Sequence, residues 1–247
     1  MPAGDEMPDR SATDPGRTVV TLDGPAGAGK STTAREVARR LGYRYLDSGA
    51  LYRALTFALL EDGVPEELWP HLDRHALDAL GVQVVPDETT LVVAHRGRRL
   101  AGELRTASVT ASVSNVARLS AVRAWLLGHQ RALGRQGRLV ADGRDMGTVV
   151  FPDAGTKVFL EADLTERARR RLREQGVAEP DEDTTAREAE RLEARDRTDR
   201  TRETAPLRAA PDAIHLDTTG LDFDAQVDAV VELARKQDPD AGTRETR

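Results

Sequence analysis

Residues 18–23 read Thr-Val-Val-Thr-Leu-Asp, a short, β-branched apolar run of the kind that forms a strand buried on both faces. A glycine-rich turn follows. Val37, Ala38 and Leu41 then recur at helical spacing within residues 31–41. Strand, glycine turn and helix open a βαβ unit. The strand signature returns at residues 43–46, 138–142, 157–160 and 213–216, and amphipathic helical patterns cover residues 163–174 and 224–235. Strands alternating with helices predict an α/β fold, a doubly wound parallel sheet covered on both faces.

Residues 62–134 interrupt the alternation. Val82 to Val85 and Thr90 to Ala94 read as a small hairpin across the turn Pro86-Asp87-Glu88, and residues 108–133 read as a long helix or a helix pair. This block is expected to be an inserted subdomain in a core made of residues 18–61 and 135–236. Residues 165–202 are helical and highly charged with few apolar anchors, so they are expected to stay out of the deep core and to form a short, mobile helical lid. Residues 1–17 and 237–247, rich in Pro, Asp, Gly and other small or polar residues, read as flexible tails.

Composition narrows the function classes. Hydrophobic residues make up 39% of the 247, enough for one substantial core, but aromatics are only 4%, which leaves the packing to Val, Leu and Ala. No run approaches the ~20 apolar residues of a membrane span. Acidic residues and prolines precede the first apolar run, unlike a secretory signal. Cysteine is absent, which removes disulfides and thiolate metal sites. A cytoplasmic enzyme is the simplest expectation. The formal net charge of −6 and the lack of an aromatic stacking platform argue against nucleic acid as a partner. The basic residues are nearly all arginine, which genomic base composition can explain. It does not explain why one of the three lysines, Lys30, stands where a phosphate loop requires it.

Gly24, Pro25, Ala26, Gly27, Ala28, Gly29, Lys30 and Ser31 match G-x-x-x-x-G-K-[ST] between a predicted strand and a predicted helix, and Thr32 follows. Glycines let the backbone wrap an anion so that successive N–H groups point at a β-phosphate, and the helix adds its positive end. Lys30 would bridge β- and γ-phosphates, and Ser31 would offer its hydroxyl to Mg²⁺. The loop by itself fits ATP or GTP.

Three clusters speak to the acceptor. In Asp47-Ser48-Gly49-Ala50-Leu51-Tyr52-Arg53, Ser48 has N-cap chemistry and Arg53 falls on the first turns of a helix; an ordinary capped helix would look the same. Asp142-Gly143-Arg144-Asp145-Met146-Gly147 sits at the carboxyl end of a strand, where ligands collect in open α/β sheets. There Asp142 would hold the metal shell through water and Arg144 would clamp a phosphate; a salt-bridge network is the bland alternative. In residues 195–202, Arg195, Asp199 and Arg202 share one helix face, which alone reads as a solvated, salt-bridged helix.

In combination these motifs are more specific. The order G-P-A-G-A-G-K-S-T, D-S-G-A-L-Y-R, A-G-E-L-R-T, A-D-G-R-D-M-G-T-V-V-F-P-D-A and R-D-x-x-D-x-x-R resembles the bacterial cytidylate kinase family from about Val19 to Lys236. The block at Asp142 to Thr148 carries most of the specificity, because the phosphate loop is shared with many other nucleotide-binding proteins. The resemblance implies a P-loop kinase core, an acceptor-binding insert and a short lid. It implies ATP as donor, Mg²⁺ as cofactor and CMP or dCMP as acceptor. Ser48 and Arg53 match positions that contact the acceptor nucleotide; Ser114, Arg123 and Asp145 match readers of the cytosine base; Asp199 matches a carboxylate that holds the ribose. Arg144, Arg195 and Arg202 match phosphate-binding arginines and, with Lys30, are expected to carry the transfer. Ser31 stands where several relatives have glycine, which leaves either Ser31 or Thr32 as metal ligand, and Thr198 stands where some have arginine.

An acceptor phosphate with a second pKa of about 6 is already a nucleophile near neutral pH. The absence of an obvious catalytic histidine fits such a reaction, and His71, His75, His95, His129 and His215 read as surface or packing residues. No surplus apolar stripe asks for a protein partner, so a monomer is expected. The competing readings are a kinase for another small acceptor on the same core, and a non-catalytic P-loop regulator or RNA-binding module built on the arginine-rich helix.

Overall fold

Strand β1 (Val19–Asp23) is buried along its whole length and delivers the chain into the glycine turn and α1 (Lys30–Leu41). β2 (Arg44–Asp47) and α2 (Ser48–Glu61) follow, then the short α3 (Arg74–Ala79), the hairpin β3 (Val82–Asp87) and β4 (Thr90–His95), and β5 (Arg98–Arg99). Next come α4 (Ala107–Val116), α5 (Ser120–Gly134), β6 (Leu139–Asp142), β7 (Thr156–Glu161), α6 (Leu164–Glu174), α7 (Glu182–Thr201), β8 (Ile214–Asp217) and α8 (Phe223–Gln237). The computed structural model describes residues 18–87, 89–239 and 241–242. The expected N-terminal tail at 1–17, residue Glu88 of the predicted turn, and residues 240 and 243–247 lie outside them. The rest of the expected C-terminal tail packs on the core: Tyr43 donates to Asp238 at 2.6 Å, and Ala241 is buried.

Among the described residues one sheet runs β3-β4-β2-β6-β1-β7-β8, with β5 beside β4. It is parallel from β4 to β8, and only the β3 and β5 pairings are antiparallel. Side chains alternate across it. Val19, Leu139 and Ala141 face a core filled by α2 to α5, including Leu51, Leu55, Leu59, Leu77 and Leu126. Val20, Leu22, Val140, Val158 and Leu160 face the other core, against Val37 and Leu41 of α1 and Val227, Val230 and Val231 of α8. The doubly wound sheet is therefore covered on both faces.

Two expectations need adjusting. The hairpin does not form a separate body: β4 pairs with β2 at Tyr45↔Thr90 and Leu46↔Leu91, so residues 62–134 extend the main sheet and share its core. β3 runs on through Pro86 and Asp87, since an edge strand tolerates proline. The charged segment 165–202 is also better anchored than its composition suggests. Ala168, Leu172 and Leu192 are buried, and so are Arg167, Glu188, Asp196 and Asp199. Its anchors are largely polar, which is why an apolar count misses them.

Candidate active site

The carboxyl ends of β1, β2 and β6 lie side by side: Leu22 pairs with Asp142, and Asp142 with Asp47. The turn after β1 is shaped by its glycines. Gly24 has φ 147°, and a Cβ there would lie 2.1 Å from the carbonyl oxygen of Leu160 on β7. Gly29 caps α1 in the left-handed region without any side-chain cap, which leaves the first N–H groups of α1 available to an anion.

Lys30 is buried and donates to the Pro25 carbonyl at 2.6 Å. Burial, with the positive charge of Arg144 adding to it, pulls its ammonium well below the usual range, so a phosphate beside it would restore the charge. Ser31 Oγ donates to Asp142 at 2.8 Å, and Tyr45 donates to the other oxygen of the same carboxylate at 2.8 Å. Thr32 turns away and donates to the Gly29 carbonyl at 2.8 Å. Burial, with the nearby Asp47 charge, pushes the Asp142 carboxyl up. A cation beside it would restore the carboxylate, and that carboxylate with the Ser31 hydroxyl is a hard oxygen pair that suits Mg²⁺, which keeps most of its waters and takes few protein ligands.

Asp23 was not singled out by motif, yet it joins the two halves of the site. Its carboxylate accepts from the amides of Met146 at 2.9 Å and Gly147 at 2.7 Å, at the start of a π-turn (Met146–Val150). Burial raises it to about 6.

On the acceptor side, Asp47 rather than Ser48 is the N-cap of α2; its side chain accepts from Ala50 N at 2.9 Å. Ser48 is the first helical residue, buried against Gly143, where a Cβ would lie 2.6 Å from its Oγ. Arg53 donates to the Leu104 carbonyl and to Thr110 Oγ1, both at 3.1 Å. Arg123 of α5 pairs with Asp145 and donates to the Ala117 carbonyl at 3.2 Å. Arg144 Nε donates to Asp199 at 2.9 Å. Arg202 lies 3.7 Å from Asp145 and 3.8 Å from Asp199 and donates to the Ala205 carbonyl at 2.6 Å. Arg195 and Arg202 each carry a buried nitrogen with no hydrogen-bond partner, Nε of Arg195 and Nη2 of Arg202. Burial followed by repulsion from Arg144 lowers the Arg195 guanidinium to about 10. Arginines held together at such cost call for an anionic guest.

A single cavity of about 440 Å³ collects these groups. The nine residues expected to contact the acceptor, and Asp142 with them, all line it, as do Ala26, Gly27, Gly29, Lys30, Ser31 and Thr32 of the loop. Gly24, Pro25 and Ala28 do not: Gly24 abuts β7, Pro25 offers its carbonyl to Lys30, and Ala28 is fully buried in the α1–α8 core. None of the histidines lines it.

The chain matches the family model for cytidylate kinases over residues 20–236. It is 45% identical over 215 residues to the cytidylate kinase of Exiguobacterium sibiricum, covering 87% of this chain and 96% of that one. It is 42% identical over 228 residues to the cytidylate kinase of Pelodictyon phaeoclathratiforme, covering 90% and 96%. A bifunctional pantoate ligase/cytidylate kinase of Synechococcus sp. is 45% identical over 229 residues, and the chain spans about half of that longer protein, 45% of its length.

This chain belongs to the cytidylate kinase family. The structure brings residues of the dispersed motifs quoted above to one cavity. Tyr52 and Arg105, which stand in the quoted motifs without an expected role, also line that cavity, and so do Arg35 and Arg171, which no motif marks. Arg171 is the most telling omission, since its charge contributes to lowering both Arg53 and Arg195. In the sequence it is one arginine within a run of charged helical residues, and only the inward-facing side of α6 distinguishes it.

Proposed function

We propose that the protein transfers the γ-phosphoryl group of ATP to CMP or dCMP, giving CDP or dCDP and ADP. The observation that carries this is the shared cavity, in which the phosphate loop with Lys30 faces Arg144, Arg195 and Arg202, and Arg123 pairs with Asp145. Residues 62–134 supply the acceptor-binding wall through Ser114 and Arg123, and residues 165–202 serve as the lid. The acceptor's phosphate dianion attacks the γ-phosphorus in line, the bond to the bridging β,γ-oxygen breaks, and ADP leaves. No general base is required. Arg53 and Arg144 hold the acceptor phosphate, and Arg195 and Lys30 meet charge on the transferring group. Ser31 and Asp142 would hold Mg²⁺, which neutralises charge on the β- and γ-phosphates. Asp145 and Arg123 offer an acceptor and donors to a pyrimidine edge, while Asp199 faces the ribose.

Among the described residues no helix is long and apolar enough to cross a membrane, and the exposed large apolar residues Leu68, Val177, Ile214 and Phe223 are scattered in the chain. These observations support a cytoplasmic monomer that works on free nucleotides. Incubation with MgATP and each nucleoside monophosphate, followed by ADP formation, tests the assignment. Rapid turnover with CMP and dCMP, slower turnover with UMP and negligible turnover with AMP and GMP are expected. Turnover with a purine or TMP would overturn the base-reading roles.

A further inference from the structure

The lid is fastened to the phosphate loop at one residue. Both backbone polar groups of Ala26 are bonded by lid side chains: its N–H donates to Asp196 of α7 at 2.9 Å, and its carbonyl accepts from Arg167 of α6 at 2.9 Å. The same two side chains pair with each other at 2.5 Å, and Arg167 Nε donates to the Ala162 carbonyl at 3.1 Å. Asp196 is 2% exposed and Arg167 is 7% exposed. Ala26, Ala168 and Leu192 form a small apolar cluster at this seam. The approach is close enough that a Cβ on Gly27 would lie 3.0 Å from the Arg167 carbonyl oxygen.

A buried ion pair is a poor way to gain stability, because desolvation takes back most of the attraction. It does fix geometry, since only one register satisfies every donor and acceptor. Asp196 sits one residue after Arg195 and three before Asp199, both of which line the cavity. Pinning Asp196 to Ala26 therefore sets where Arg195 stands relative to the phosphate loop. Neither Asp196 nor Arg167 lines the cavity.

We propose that Asp196 and Arg167 are positioning residues for phosphoryl transfer, a latch that holds the register of α7 against the phosphate loop. The lid then closes about Asp196 as a fixed point and does not swing as a free flap. This rests on the kinase reading above. A misplacement of about 1 Å can lower a rate ~10²-fold, so Asp196→Ala is expected to lower kcat about 100-fold with KM for CMP within about twofold. Asp196→Asn keeps an acceptor for Ala26 N–H and is expected to recover part of that loss. Acceptor-independent ATP hydrolysis is expected to rise relative to transfer as alignment is lost.

Hydrogen exchange on the nucleotide-free protein reads the latch without any activity. The Ala26 amide is expected to be protected in the wild type and to exchange at least tenfold faster in Asp196→Ala. Arg167→Met, which keeps an unbranched side chain but has no N–H for Ala26 or Asp196, is expected to act in the same direction and serves if Asp196→Ala does not fold. An unprotected Ala26 amide in the wild type, or kcat within twofold of wild type in a folded latch variant, would overturn the proposal. A wild type that phosphorylates no pyrimidine nucleotide would overturn the kinase reading alone, since the exchange result stands apart from it.

Discussion

Arginine chemistry dominates at the scale of single residues. In the proposed reaction Arg195 meets charge on the transferring group and Arg144 holds the attacking acceptor phosphate, and an arginine at such a transition state contributes ~10³–10⁵ in rate. Arg144→Ala and Arg195→Ala are each expected to lower kcat by that order while the melting temperature shifts by a few degrees at most; near-normal kcat in both would remove the roles. Arg202 is steered by Ala205, a non-glycine residue at φ 50° whose carbonyl accepts from Arg202 Nε. The left-handed conformation costs an alanine roughly 1 kcal/mol. Ala205→Gly is expected to hold or raise stability in denaturant titration, and Ala205→Val to lower both stability and CMP affinity. Asp23 brings a pH dependence. Its folded value, about 6, lies above the ordinary 3.8, so its contribution to stability is fully present below about pH 4 and is lost as pH rises through 6. Wild-type protein should gain melting temperature relative to Asp23→Asn, which does not titrate, between pH 6.5 and 4. A constant difference across that window would contradict the assignment.

Elements differ in how plainly the chain announces them. The buried strands around the glycine turn are legible because apolar β-branched runs, glycine and helical periodicity agree there. Gly24 shows the physical reason: a Cβ added there would lie 2.1 Å from the Leu160 carbonyl oxygen, so only glycine fits. Gly24→Ala is accordingly expected to cost several kcal/mol and to abolish ATP binding, as read by calorimetry and denaturant midpoint. The hairpin's place was not legible, since its parallel pairing to β2 rests on only two registered pairs between residues 45 residues apart in the chain. The cap of α2 was read one residue late because Asp47 and Ser48 both have cap chemistry, and only the extended backbone at Asp47 chooses between them. The latch was not legible at all. Asp196 and Arg167 lie within runs of charge, and nothing local marks which charges turn inward.

For the whole molecule, the sheet brings the phosphate loop and residues of segments 48–53, 105–123, 142–145 and 171–202 to one crevice. Closure of the proposed lid over this arginine-lined cavity of about 440 Å³ should keep water from the γ-phosphate, so ATP hydrolysis without acceptor is expected to stay far below transfer. The acceptor-side residues come from chain segments as far apart as Ser48 and Arg202, yet all of them reach the same cavity. Their order along the chain was readable as a family pattern, whereas their convergence is a property of the fold. The measurement that tests this most directly follows the label from γ-labelled ATP in the presence of CMP. The account predicts label in the β-phosphoryl group of CDP with little inorganic phosphate. Label released mainly as inorganic phosphate, whether CMP is present or not, would contradict it and mark the phosphate loop as that of a hydrolase.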